Sequence, residues 1–364
     1  MKILYGMNGV GNGHISRARL LVPKLQAAGA DVDCILSGRP AEDCPDLSAL
    51  GDVKFRKGLS ISFDNGSMNF FKNSTNLVRQ FPNLIKEVAT LDTRDYDLVI
   101  SDFEPVSAWA AKLQGTPCIG TANHHALEFD VPRTSPYSPF MLFMRGILPA
   151  DTKLPTHYDQ FDQPILPPFK TDMDAGETDP KKILVYLNFE NLESTASLLR
   201  DFKGHDFYIY NAEVEQASDE GNLHFRPLSK EGFKRDFQTC AGVITNAGFM
   251  TTAEALQMGK KILVKPAIGQ KEQESNVIAL EELGYATAMR ELDSDIVREW
   301  LRQNKAVKMT CPDTAQALVD WVMKGEWTDS SELVSDLWNQ VERKTVYIAG
   351  NQNRSDPAPI SDVA

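Results

Sequence analysis

The chain has 364 residues, 42% of them hydrophobic and 24% charged, with a formal net charge of -12. That length suits two domains rather than one core, and the acidic balance argues against a nucleic-acid groove, so no nucleic-acid partner is expected. The charge is uneven: residues 1–165 carry 16 Lys/Arg against 18 Asp/Glu and the remainder 22 against 32, which leaves room for a local basic or apolar surface in the first half.

Residues 2–7 (KILYGM) read as a short buried strand, and SRARLLVPKLQAAG then repeats apolar residues at helical spacing up to Gly29. DVDCILSG, VKFRKGL, YDLVISDF and TPCIGTAN follow as strands, with NLVRQFPNLIKEVATL and VSAWAAKLQG as helices between them. The Pro-, Asp- and Gly-rich DQPILPPFKTDMDAGETDP breaks this rhythm and marks a domain boundary. A second series begins with strand KKILVYLN, helix LESTASLLRDF and strand HDFYIYNA. Strand CAGVITNAG, helix MTTAEALQMG and strand KKILVKP continue it, and QESNVIALEELG, DIVREWLRQN and SSELVSDLWNQVERKTV are its last helices. Strands alternating with helices imply parallel, doubly wound sheets. The expected division is a first domain at 1–165, a linker at 166–180 and a second domain at 181–330. A C-terminal helix at 331–349, able to cross back to the first domain, and a disordered tail at 350–364 complete it.

Five scattered cysteines (Cys34, Cys44, Cys118, Cys240, Cys311) form no CxxC pair and read as reduced thiols. No run reaches the ~18–20 apolar residues of a membrane span, and MKILYG enters a strand without a signal-peptide layout. The expected location is the cytoplasm, with the inner face of the membrane within reach.

NGVGNGHISRA follows the first strand. Gly9 and Gly11 fit a dinucleotide fingerprint, but the third small residue is replaced by His14 and no carboxylate ends the second strand, LSGR. What Gly11, Asn12 and Gly13 do supply is close backbone approach at a helix start, with His14 at the lip of the cleft. A histidine accepts a proton at neutral pH if something orients it. Asp102, at the tip of DLVISD, is the natural orienter, unless it only caps the next helix; Glu104 competes for the role. His124 and His125 in TANHHAL end the next strand and are candidates for the cleft wall.

In ITNAGFMTTAEALQMGKKILVKPAIGQKEQESN, a strand ends at Asn246, a turn holds Gly248, and a helix starts near Phe249, Met250 and Thr251. Free N–H groups and the helix dipole there form an anion site suited to a diphosphate. Asn246, Thr251 and Thr252 add neutral donors, and Glu254, on the face of Thr251, can accept from ribose hydroxyls. Glu272-Gln273 and Asn276 supply the carboxylate and amides that a sugar's hydroxyls call for.

This set resembles the donor half of GT-B glycosyltransferases. Plant small-molecule members carry His-x-Gly-x-x-Ser-x-x-Glu, then Asp-Gln-x-x-Asn; the matching positions here are Asn246, Gly248, Thr251, Glu254, then Glu272, Gln273 and Asn276. The transferase that adds N-acetylglucosamine to the lipid-linked peptidoglycan precursor is similar at both ends, its Gly-Gly-His loop matching Gly13-His14. Prokaryotic members of that branch open GVGNGHxxRA and carry SDFEP, as this chain does, and the resemblance spans about residues 1–290.

The resemblance implies an α/β protein of two doubly wound Rossmann-like domains facing across a cleft, the first for the acceptor and the second for the nucleotide-sugar donor. It implies inverting, metal-independent transfer from a UDP-sugar as co-substrate, with no other cofactor. His14 would deprotonate the acceptor hydroxyl with Asp102 behind it, and the helix start at Met250 would stabilise the departing diphosphate. Asn246 departs from the family's usual histidine or basic residue. Glu190, in Asn188–Asn191, would oppose a diphosphate, so its side chain is expected to point elsewhere or to the acceptor. Arg226 and Leu228 lie where the family holds the nucleobase. SMNFFKNSTNLVRQF and SPYSPFMLFMRGILP fit either a membrane interface, as for a lipid-linked or cell-envelope acceptor, or buried amphipathic helices. A nucleotide-sugar epimerase of the same fold and a non-catalytic nucleotide-sugar binder are the rival readings, and the oligomeric state is open.

Overall fold

The computed structural model describes residues 1–10, 12–44, 46–59, 70–133 and 145–348, with only the backbone at 70–78. Gly11, residues 67–69 of the first apolar segment, residues 135–144 of the second and the expected tail lie outside the described residues.

The first half alternates β1 (Lys2–Asn8), α1 (Gly13–Ala27), β2 (Asp31–Ser37), β3 (Val53–Arg56), α2 (Phe70–Thr90), β4 (Leu98–Asp102), α3 (Pro105–Gln114), β5 (Cys118–Gly120) and β6 (Thr152–Lys153), with a short 3-10 helix at Asn123–Glu128 after β5. The strands form one parallel sheet in the order β3-β2-β1-β4-β5-β6. Side chains alternate across it. Ile3, Tyr5 and Met7 of β1 join Ile15, Leu21, Val22 and Leu25 of α1 on one face. Leu4 joins Val99 of β4 and Val106 and Ala110 of α3 on the other.

The second half runs β7 (Asp179–Tyr186), α4 (Leu192–Leu199), β8 (Asp206–Tyr210), β9 (Ser218–Glu220), β10 (Leu223–Arg226), α5 (Lys230–Thr239), β11 (Cys240–Asn246), α6 (Phe249–Gln257), β12 (Lys261–Lys265), α7 (Lys271–Glu282), β13 (Thr287–Ala288) and α8 (Ser294–Arg302). Its sheet order is β13-β12-β11-β7-β8-β10-β9, parallel except for β9. Apart from the small β9 hairpin, this is the same winding as the first sheet, so the molecule is two Rossmann-like units. In each, the order reverses beside the first strand, between β1 and β4 and between β7 and β11. Ligands of such sheets bind outside the carboxyl ends of the strands at that reversal.

The C-terminal chain differs from its sequence reading. β14 (Lys305–Thr310) precedes α9 (Thr314–Lys324) and α10 (Ser331–Trp338); residues 342–347, expected as helix, form β15 (Glu342–Tyr347), antiparallel to β14. Thr345, Val346 and Tyr347 suit a pleated strand, and the partner that decides the matter lies far upstream. α9 and α10 both pack on the first sheet: Leu318, Val319, Val322, Leu333 and Leu337 share the core of Leu21, Leu25 and Ile100. The return to the first half therefore begins before residue 331. Among the described residues no helix is long and apolar enough to cross a membrane, and all five cysteines are free thiols.

Candidate active site

The loop after β1 and the tip of β4 build the first reversal point. Buried Asn8 accepts the Val10 N–H at 2.7 Å, a side-chain turn that swings the backbone toward α1. Gly9 fits because a Cβ there would overlap the Arg39 side chain. Asn12 precedes α1 without capping it; its Oδ1 accepts from Arg39 Nη1 at 2.9 Å. A Cβ on Gly13 would lie 3.6 Å from Met250 Cγ, so the starts of α1 and α6 face one another.

His14 is 9% exposed, and its Nδ1 lies 2.7 Å from Asp102 Oδ1. The same oxygen accepts from Arg17 Nη1 at 2.6 Å, and Arg17 Nη2 donates to Asn123 Oδ1 at 2.7 Å. Burial works against a charge on Asp102, yet the Arg17 guanidinium and His14 outweigh it and hold the carboxyl at about 2. An ionised carboxylate only accepts, so in neutral His14 the proton sits on Nδ1 and the Nε2 lone pair is left for chemistry.

The two residues after Asp102 take different paths. Phe103 has φ +58°, a left-handed conformation that costs a bulky residue about 1–3 kcal/mol. Its ring lies parallel to His14 at 5.4 Å and 4.1 Å from the ring of His124. Glu104 is fully buried and caps α3, accepting from the Val106 and Ser107 N–H groups at 3.0 and 2.6 Å and from Ser37 Oγ at 2.6 Å. Burial raises its carboxyl despite these bonds. The capping role considered for Asp102 thus belongs to Glu104, which is no rival base.

The adjacent histidines also separate. His124 Nε2 lies 2.9 Å from Glu272 Oε2 on α7, joining the two halves; burial disfavours the Glu272 charge, but His124, aided by His14 and Arg17, keeps its carboxyl low. Ser275 Oγ ties the same helix to Pro132 O at 2.6 Å. His125 leaves the cleft wall: it is buried, with Nδ1 2.7 Å from Glu128 Oε1, and burial lowers its basicity.

At the second reversal point, Gly248 precedes α6 and gives no side-chain cap, so the first N–H groups of this helix have no intrahelical partner. Met250 and Thr251 remain half-buried at that start. Phe249 instead packs on Tyr158 at 4.9 Å, and Thr252 Oγ1 bonds Tyr158 Oη at 2.6 Å and Gly248 O at 3.0 Å. Both are core side chains rather than ligand contacts. Burial drives the Glu254 carboxyl up to about 7, with Asp172 adding to the effect.

Each of the three expected amides bonds backbone. Asn246 Nδ2 donates to Lys265 O at 3.0 Å while its Oδ1 accepts from Phe189 N. Gln273 Oε1 accepts the Ala267 N–H at 2.8 Å, and Asn276 Nδ2 donates to Ala247 O at 3.0 Å. They brace the loops after β7, β11 and β12. Glu190 does not stand uncompensated: Lys265 Nζ lies 2.6 Å from its Oε1. Arg226 bonds Asp219 Oδ1 at 2.8 Å within the β9–β10 hairpin, and its guanidinium covers Tyr208, whereas Leu228 is 51% exposed.

A family model described as glycosyl transferase family 1 matches residues 1–304. The chain belongs to that family. No curated protein matches it. This glycosyltransferase is similar in fold to the glycosyltransferase of kitacinnamycin, at TM-score 0.60 and 12% identity over 89% of this chain and 98% of that one. The Streptomyces sp. SF2575 glycosyltransferase SsfS6, complexed with thymidine diphosphate, aligns at TM-score 0.57 and 14% identity over 89% and 99%. Arabidopsis thaliana UGT89C1, complexed with UDP, aligns at 0.56 and 13% over 93% and 98%. These neighbours share the GT-B fold.

Two residues bonded to the candidate site residues escaped the sequence reading. Arg17 carried a signal, since i,i+3 spacing puts it on the face of His14. Lys265 carried a weaker one, a cation ending the apolar strand ILVK.

Proposed function

We propose that this glycosyltransferase is inverting and metal-independent and transfers the sugar of a nucleotide diphosphate sugar, UDP-linked, to an acceptor hydroxyl. One observation carries the reading: the buried His14–Asp102 pair, 2.7 Å apart, stands at the start of α1, and that start faces the uncapped start of α6. His14 Nε2 takes the hydroxyl proton as the acceptor oxygen bonds the anomeric carbon from the face opposite the diphosphate. The bond from that carbon to the diphosphate oxygen breaks, and its electron pair leaves with the diphosphate. The N–H groups at the start of α6 and the Lys265 ammonium meet the developing charge. The UDP and thymidine diphosphate complexes of two neighbours support a nucleotide diphosphate donor.

For the acceptor we favour a lipid-linked glycan precursor met at the inner membrane face. The likeness of the Gly13-His14 loop to the lipid-precursor branch supports it, as do Phe81 and Ile85, 39% and 66% exposed one turn apart on α2.

The test offers the full chain a panel of UDP- and TDP-sugars with polyprenyl-diphosphate-linked and phenolic acceptors, and reads nucleotide release and the anomeric configuration of the product. His14→Gln should cut transfer by about 10²–10⁴-fold with UDP binding unchanged. Full turnover in that variant refutes the base assignment. Acceptor-free interconversion of UDP-sugars would establish the epimerase reading instead.

A further inference from the structure

We propose that Arg17 is a positioning residue that tunes His14 by sharing the one carboxylate oxygen that orients it. The inference rests on the reading of His14 as the general base. In a simple His–Asp pair the carboxylate lends its full charge to the imidazolium that forms. Here Asp102 Oδ1 takes His14 Nδ1 at 2.7 Å and Arg17 Nη1 at 2.6 Å, while Oδ2 has no partner among the described residues. A guanidinium is always charged, so the anion is already compensated before His14 takes a proton. An imidazolium would also lie one helical turn from that guanidinium. Both contacts set a fixed positive charge against a second one on the ring.

Arg17 is 2% exposed, and its second arm is equally committed. Asn123 Oδ1 accepts from Arg17 Nη2 at 2.7 Å and from Thr156 Oγ1 at 2.7 Å. Asn123 begins the 3-10 helix whose next residue, His124, holds Glu272. One side chain thus sets the Asp102 carboxylate and the segment that bridges the two halves.

The charges around His14 come from four elements. Asp102 of β4 and Glu272 of α7 favour its protonated form, whereas Arg17 of α1 and His124 of the 3-10 helix oppose it. Phe103 and Met250, also near the site, are uncharged. Tyr5 of β1 lies beneath, where burial holds its phenol in the neutral form. Arg17 alone among these combines permanent charge with a bond to the orienting oxygen.

The six histidines make the test direct. The full chain is labelled with ¹³C at histidine Cε1, His14→Gln assigns the His14 signal, and its pH titration is followed in variants. Arg17→Met and Arg17→Gln should move the midpoint up by about two pH units, the size expected for a removed charge about 6 Å away at an effective dielectric of about 20. Arg17→Gln can keep a hydrogen bond to Asn123, so it guards against a methionine variant that does not fold. Arg17→Lys, which keeps the charge, should stay within about 0.3 unit of the parent. The acid limb of the transfer pH–rate profile should follow the same order. A folded neutral variant with an unmoved His14 midpoint overturns the proposal, as does a lysine variant that shifts as far as the neutral ones. Because the titration needs no turnover, a shifted midpoint with an unmoved rate profile would refute His14 as the base while leaving the link to Arg17 intact.

Discussion

Lys265→Met separates a donor-binding cation from a structural ion pair. Lys265 Nζ lies 2.6 Å from Glu190 Oε1, with side chains only 4% and 16% exposed. Breaking a fully buried pair costs about 3–5 kcal/mol because the remaining charge loses its partner. Water reaches Glu190 from one side, so a loss of about 2 kcal/mol is expected for Lys265→Met. Stability alone does not reveal the role, since Glu190→Gln also breaks the pair. Binding does, because the two changes should act in opposite directions. A charge-assisted hydrogen bond is worth about 1.5–3 kcal/mol, so Lys265→Met should weaken UDP binding by about 10–100-fold. Glu190→Gln removes the carboxylate that competes with the diphosphate and should tighten binding severalfold. Titration calorimetry with UDP, with denaturant unfolding of the same samples, gives both numbers. If the two variants weaken UDP in proportion to their lost stability, the pair only braces the loops after β7 and β12.

Two further outcomes follow from the carboxylates. Asp102 is depressed from 3.8 to about 2 by Arg17 and His14 against the effect of burial, so its contribution is present above about pH 4 and is lost as pH falls through about 2. That is about 2 kcal/mol of pH-dependent stability; urea unfolding between pH 5 and 2 should show it in the parent and not in Asp102→Asn, and equal slopes would refute it. Glu254 is shifted the other way, from 4.5 to about 7, so the folded form keeps its proton longer than the unfolded chain and loses stability as pH rises through that window. Glu254→Gln should match the parent near pH 4 and exceed it above pH 7 by about 2–3 kcal/mol. If a ribose hydroxyl donates to Glu254, UDP binding near pH 6.5 should also release protons, seen as a buffer-dependent heat.

The sequence carried the winding of both sheets because apolar strands and amphipathic helices alternate at recognisable periods. His14 and Asp102 were legible for the same reason, each following or ending a strand that the parallel order brings to one edge. The donor-side letters picked out residues that the structure gathers around the ends of β11 and β12, but not the task of each side chain. Asn246, Gln273 and Asn276 match the family pattern, yet in this structure each bonds backbone. An amide beside unpaired loop N–H and C=O groups satisfies them first, and no local pattern records which carbonyl lies opposite. Glu104 and His125 sit one or two positions from cleft residues, where a turn of backbone decides between cap, core and wall. β15 was hidden because its partner, β14, is an equally short strand more than thirty residues away.

The link between the halves gives these local choices a common logic. His124 comes from the loop beyond β5, Glu272 from the start of α7, and they meet at 2.9 Å. Arg17 holds the residue before His124 and also the carboxylate behind His14. A displacement of α7 that pulls on His124 therefore reaches Asp102 through two hydrogen bonds and one peptide unit. A sugar hydroxyl that takes Glu272 as its acceptor would compete with His124 for the same carboxylate. Donor occupancy and the orientation of the base would then be energetically coupled across the cleft, and the buried polar chain from Glu272 to Asp102 is the physical path that coupling would take.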